Sequence, residues 1–446
     1  MKRHKACSPT AFDLEISPMC QSKSHHHHHH THSHSHQHEH SHVHGTHVHV
    51  EPAKPSRRAI LRGIKAVGLA AAANTLPLGN ALRAVADDGH PAVAAGASAK
   101  LFDIKRVANG IYGAIARPTA MLNCNAAVIV NSDHVLVVDT HSKPSAAKAL
   151  IKQIRSEITD RPVRYVVDSH LHGDHAMGNE AYPEVFGANV EIISSTKTRE
   201  WFEKLGMSRL KGSLEGIPKQ LAELKSKRDA SKDDYEKAEL TATIEGLDAY
   251  LKEMTPPRLT LPSMTFSDRL VIHRGGREIH LLFLGRAHTA GDVIAYIPGE
   301  RVVATGDLMH GLLPYMGDGF PDEWPATLKA LEALEFDRVV PGHGAVQEGK
   351  GVLTQFRTYV EEITEKVQRG VEKGQPLNEL SKAITPNSMM SLKADNARGR
   401  IERELGALFP GPVKPSDQLD GSVSSNVREV FTYFTERKGK RELPLQ

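Results

Sequence analysis

The chain has 446 residues, 39% of them hydrophobic, enough for one large domain with a proper core or for two smaller ones. Its formal charge of +3 is concentrated at the front, where residues 1–86 carry ten Lys or Arg against four Asp or Glu; the remainder holds 46 basic and 49 acidic residues and implies no nucleic-acid surface. Cys7 and Cys20 lie in that front segment and Cys124 is alone in the body, which excludes an internal disulfide framework there.

Residues 24–50, SHHHHHHTHSHSHQHEHSHVHGTHVHV, form a low-complexity tract that cannot bury a core and reads, within residues 1–55, as a disordered leader. Its histidines can chelate Zn, Ni or Cu loosely. Residues 56–86, SRRAILRGIKAVGLAAAANTLPLGNALRAVA, place an arginine pair before a short apolar run and an Ala-x-Ala ending, the layout of a signal peptide. The run from Ala66 to Leu78 is broken by Asn74 and Pro77 and falls short of the ~20 residues that span a bilayer, so no permanent membrane span is expected. With Arg57 and Arg58 as the pair, the segment resembles a twin-arginine (Tat) signal. It predicts a precursor handled by the Tat machinery, cleaved near Ala86, and a periplasmic or exported bacterial protein that lacks the histidine tract once mature.

From Lys105 onward, GIYGAIA, NAAVIV and HVLVVDT alternate with turn residues and predict antiparallel strands. Cys124 sits in the strand-like run MLNCNAAVIV and reads as a small buried thiol. A helix follows over 144–158, with Ala147, Leu150, Ile151 and Ile154 on one face. The strand VRYVVDS then leads into HLHGDH. Further strands are expected at VEIIS, EIHLLFLG, DVIAYIP, RVVATGD and FDRVVPGHG, with a helix at TKTREWFEKL. Residues 206–256 turn charged and helical, as an inserted helical hairpin would, serving as a surface pair or as a lid or dimer contact. Residues 350–446 read as a helical C-terminal extension whose first helix presents Val352, Phe356, Tyr359, Val360, Ile363 and Val367 on one apolar face. The body between them, 100–349, alternates strands and helices as sheets covered by helices do.

His170, His172, Asp174 and His175 crowd into the segment that ends the buried strand VRYVV, and imidazole with carboxylate suits zinc. Gly173 is expected to relieve the turn between the two pairs. His288, Asp307 and His343 each follow another apolar strand, beside glycines in LGRAHTAGD, TGD and PGHG. Alone, each reads as a cap or a core residue; their shared position at strand ends points to one ligand set large enough for two metals.

The motifs VLVVDTH, SHLHGDH, GRAHTAGD, ATGDL and VVPGHG, in this order, resemble those of the metallo-β-lactamase superfamily over roughly Lys105 to Gly349. The resemblance implies an α/β, four-layer αββα sandwich with metals at one edge of the paired sheets. It further implies that His170, His172 and His288 hold one zinc, that Asp174, His175 and His343 hold another, that Asp307 bridges them and that Asp139 supports the ligands from behind. Iron or manganese could take the place of zinc.

A metal pair of this kind lowers the pKa of a shared water to about 7 and gives hydroxide at neutral pH. Asp174 is the expected catalytic residue, orienting that water or taking its proton. The expected reaction is hydrolysis of a carbonyl substrate, a small lactone, ester, thioester or β-lactam. The well-known β-lactamases of this fold carry cysteine where this chain has Asp307 and a substrate-gripping lysine where it has His310; the aspartate resembles instead the thioesterase and lactonase branches, including glyoxalase II. His310 is a candidate substrate contact or a strand cap. The alternative is a non-catalytic periplasmic metal-binding or accessory protein of the same fold.

Overall fold

A computed structural model describes residues 100–119, 121–410 and 413–439. The histidine tract, the export signal and the cleavage position near Ala86 lie outside the described residues.

Strands β1 (Phe102–Ala108), β2 (Ile111–Ala116), β3 (Ala126–Val130) and β4 (Val135–Val138) pair antiparallel in succession. Helix α1 (Pro144–Glu157) opens on a proline, which is preorganised for a first helical position, and returns the chain to β5 (Val163–Val167), parallel to β4. Two short helices, α2 (Gly173–Ala176) and α3 (Ala181–Phe186), lead to β6 (Glu191–Ser195). Helix α4 (Thr196–Trp201) runs through a π turn at Phe202–Gly206 into the long hairpin α5 (Met207–Ala230) and α6 (Asp234–Glu253). Strand β7 (Met264–Phe266) completes a seven-stranded sheet in sequential order.

The second sheet has six strands: β8 (Arg269–Arg274), β9 (Arg277–Phe283), β10 (Val293–Ile297), β11 (Val302–Gly306), β12 (Arg338–Pro341) and β13 (Gln347–Glu348), again in sequential order. Helix α7 (Trp324–Glu332) makes the crossover between the parallel strands β11 and β12. Helices α8 (Gly351–Glu372), α9 (Leu377–Ala383), α10 (Met390–Lys393), α11 (Ala397–Leu408) and α12 (Pro415–Thr432) follow.

The period-2 rule for strands explains the layering. In β4, Leu136 and Val138 point between the sheets, while Val135 and Val137 face Leu150, Ile151 and Ile154 of α1. In β10, Val293, Ala295 and Ile297 meet the first sheet across the same central core, while Ile294 and Tyr296 face outward. That outer face is covered by α7 and by Phe356, Tyr359, Val360, Ile363 and Val367 of α8, backed by Val423, Val427 and Val430 of α12. The result is an αββα sandwich whose second helical layer is built largely from the C-terminal helices, so these share a core with the sheets. Several short elements escaped the sequence reading, two of them for instructive reasons. Strand β8, RLVIHR, is largely solvent-facing and its charges blur the alternation; α7, WPATLKALE, is a short helix between two strongly marked strands.

The hairpin has its own apolar cluster, with Leu210, Leu214, Ile217 and Leu221 of α5 against Ile244, Leu247 and Tyr250 of α6. Met121 and Met177 pack on it from the body of the domain. Among the described residues, no helix is long and apolar enough to cross a membrane.

Candidate metal centre

The seven sequence-predicted ligands converge where the carboxyl ends of β5, β9, β11 and β12 meet. His170 to His175 follow β5, His288 follows β9, Asp307 follows β11 and His343 follows β12. Two glycines make this approach feasible. Gly306 adopts φ +50°, and a β-carbon there would collide with Ser169; one at Gly342 would collide with the carboxylate of Asp307. Gly173 has a different role from the one expected: it starts the short helix α2 after an extended His172 and is not among the positive-φ glycines.

The hydrogen bonds fix which nitrogen of each imidazole is free. The backbone carbonyl of Tyr315 can only accept, so His288 donates to it through Nδ1 (3.0 Å). The carboxylate of Asp318 likewise accepts from Nε2 of His172 at 2.8 Å. Ser169 gives its hydroxyl proton to Asp139 (2.9 Å) and so accepts from Nδ1 of His170 (2.9 Å). The remaining nitrogens are His170 Nε2, His172 Nδ1 and His288 Nε2. The first and last each lie 3.0 Å from His172 Nδ1, with no proton to share. Three converging lone pairs repel one another unless a cation sits among them, and this donor set fits a zinc-like ion. Burial, reinforced by the neighbouring imidazoles, holds His170 well below the usual imidazole range, and burial followed by His172 brings His288 to about 3. Both are therefore neutral, as metal ligands must be.

The second group is carboxylate-rich. His175 donates from Nδ1 to Asp139 at 2.8 Å, which leaves its Nε2 facing Asp174 and Asp307 at 3.5 Å each and Nε2 of His343 at 3.3 Å. His343 Nε2 lies 3.1 Å from Asp174 and 3.4 Å from Asp307. Burial opposes charge on His343, yet Asp307 and Asp174 raise it to about 9; His175 is likewise held well above the usual range against burial by Cys124 and by Asp307, Asp174 and Asp139. The field there favours a cation. Asp307 reaches both groups, with one oxygen 3.7 Å from His288 and the other 3.5 Å from His175; despite burial, His343 and His175 hold it well below the usual carboxylate range. Asp174, buried on one side and facing His175 and His343, falls to about 2.

Asp139 braces the cluster with φ +69°, a conformation Asp tolerates better than most residues, and accepts the backbone N–H and hydroxyl of Ser169 as well as His175. His310 lies beside the second group, its ring edge-on to His343 at 5.9 Å, and its Nδ1 accepts the N–H of Leu312 at 3.2 Å. Cys124 is fully buried, and burial pushes its thiol up to about 12, which leaves it without nucleophilic character.

Sequence reasoning missed the residues behind the first group. Asp318, almost fully buried, also takes a bidentate pair of hydrogen bonds from Arg209 of α5, at 2.7 and 2.9 Å. No pattern linked these residues, which are 109 positions apart.

An αββα sandwich with a histidine and carboxylate cluster at its strand ends defines a class of metal-dependent hydrolases. A family model described as the metallo-beta-lactamase superfamily matches residues 120–343, half of the chain, and the protein belongs to that superfamily. It is similar to a linear primary-alkylsulfatase from Pseudomonas sp. (strain ATCC 19151), at 25% identity over 56% of this chain and 48% of the relative. It is also similar to a metallo-beta-lactamase type 2 from Bacteroides fragilis, at 23% identity over 25% of this chain and 51% of that one. The chain thus spans about half the length of the curated relatives it matches. Among solved structures, a stereoselective inverting sec-alkylsulfatase from Pseudomonas sp. shares the fold at TM-score 0.52 and 15% identity, over 75% of this chain and 50% of the other.

Proposed function

We propose that the protein is a two-zinc hydrolase of small ester-like substrates. The observation that carries this reading is the convergence of three proton-free imidazole nitrogens on one side of Asp307 and a cation-favouring carboxylate cluster on the other. His170, His172 and His288 would hold one ion, Asp174, His175 and His343 the other, and Asp307 both. Two such ions would supply Lewis acidity and lower the pKa of a water to about 7. Asp174, partly open to solvent and already ionised, is the residue placed to accept a proton from that water or to orient it. Asp139 and Ser169 keep His170 and His175 in the tautomers that leave their inward nitrogens free.

The aspartate at position 307 and the absence of lysine at position 310 support a lactone, ester or thioester over a β-lactam. Likeness to an alkylsulfatase over 263 residues supports a second reading, a sulfate ester. Zinc-loaded protein is to be assayed against an acyl-homoserine lactone, S-lactoylglutathione, nitrocefin and dodecyl sulfate. Turnover of one of these, lost on chelation, is expected; two bound zinc ions with no turnover of any would favour the non-catalytic alternative. We also propose Tat-dependent export to the periplasm, supported by Arg57 and Arg58 ahead of the apolar run. Replacing both with Lys should retain the precursor in the cytoplasm, and unchanged delivery would refute that route.

A further inference from the structure

The loop between β11 and α7 supplies the outward partner of two of the three imidazoles in the first group: Tyr315 through its carbonyl to His288 and Asp318 through its carboxylate to His172. Two cations brace this loop, and both come from segments beyond the two sheets. Arg209, on the inserted hairpin, forks onto both oxygens of Asp318. Arg437, in the π turn Tyr433–Arg437 that follows α12, donates to the carbonyls of Gly317 and Gly319. A buried carboxylate paired with a guanidinium and an imidazole N–H has almost no rotational freedom, and it dictates where the imidazole proton resides.

We propose that Asp318, clamped by Arg209 and supported through its loop by Arg437, is a positioning residue that presets the Nδ1 lone pair of His172, so that the hairpin and the C-terminal turn set the affinity of the three-histidine group for a divalent metal. The proposal rests on the metal-binding part of the function argued above and is independent of which bond is cleaved. It gives the hairpin a specific task. The hairpin carries the cation that forks onto both oxygens of Asp318 and keeps it aimed at Nε2 of His172.

The test uses the full-length protein, titrated with Co²⁺ and with Zn²⁺ against a chromophoric chelator. Asp318→Ala should weaken the three-histidine group about 10–100-fold while the carboxylate-rich group keeps its affinity. Asp318→Asn, which retains an acceptor, should recover part of the loss. Imidazole ¹⁵N shifts of the metal-free protein should show His172 as the Nε2–H tautomer in the wild type and a tautomer mixture in Asp318→Ala, a change that a purely structural pin would not produce. Arg437→Ala reaches the same loop without touching the hairpin and should lower Co²⁺ affinity in the same direction by a smaller factor, so the proposal stays testable if Asp318→Ala fails to fold. A wild type that binds two ions, with unchanged affinity and tautomer in Asp318→Ala or in Arg437→Ala, overturns the inference and leaves the hydrolase reading standing. A wild type that binds no metal overturns both.

Discussion

His170, His172 and His288 face one another as imidazoles whose bracing groups, Ser169, Asp318 and the Tyr315 carbonyl, all lie behind them, whereas His175 and His343 sit directly against Asp174 and Asp307. In the first group, burial keeps His170 and His288 neutral, and the donor nitrogens of all three imidazoles are committed outward. The second has its cation-favouring field already in place and, without a metal, fills it with protons. One site therefore offers two affinities with different physical origins, preorganisation in the first and charge in the second.

The largest expected effect comes from breaking the bridge between them. Asp307→Ala should lower the metal content measured by plasma mass spectrometry from two ions toward one and abolish turnover, because Asp307 is the only carboxylate placed against both groups among the described residues. His172→Ala should also abolish turnover while sparing an ion at the second group; loss of both ions would show that the groups do not load separately. Removing metal with a chelator should lower the melting temperature, since a ligand at a hundred times its Kd contributes about 2.7 kcal/mol.

The pH dependence sharpens the contrast further. His343 titrates at about 9 in the folded protein against an ordinary 6.5, so its contribution to the stability of the metal-free chain is complete below pH 6.5 and disappears as pH rises through 9. A metal entering the second group must displace that proton, and its affinity should climb with pH toward 9, with proton release visible in calorimetry carried out in buffers of different ionisation enthalpy. The three-histidine group should show a flat response over pH 7–9. The smallest effect is expected from Cys124→Ala, which removes an inert buried thiol; about 1 kcal/mol of stability should be lost in denaturant titration, with unchanged metal stoichiometry.

The ligands themselves were legible because they are side chains that follow apolar strands, VRYVV, HLLF, VVAT and RVVP, whose ends mark position as well as structure. The central core was readable for the same reason: Leu136, Val138, Val293 and Ala295 belong to runs whose period assigns each residue a face. The support behind the first group left no such trace. Tyr315 contributes a backbone carbonyl, which has no residue identity to read, and Asp318 lies 146 positions from His172 in a loop, DLMHGLLPYMGDGFPDE, that has no periodic pattern. The hairpin was predictable as two helices from its spaced apolar residues, but nothing in the sequence singles out Arg209 among the charges of that segment. Its significance comes only from a tertiary contact.

Arg437 lies 120 positions beyond Gly317, yet its guanidinium holds the carbonyls on either side of Asp318. Synthesis proceeds from the N-terminal side, so the HLHGDH histidines emerge from the ribosome long before the segment that steadies the loop behind them. The site is assembled early and steadied later. A nascent chain, or one cut short after α12, would present its ligands over a slack loop, and metal capture should be postponed until Arg437 has been added. Cobalt uptake by a chain ending at Thr435, set beside the full-length protein, would measure that delay.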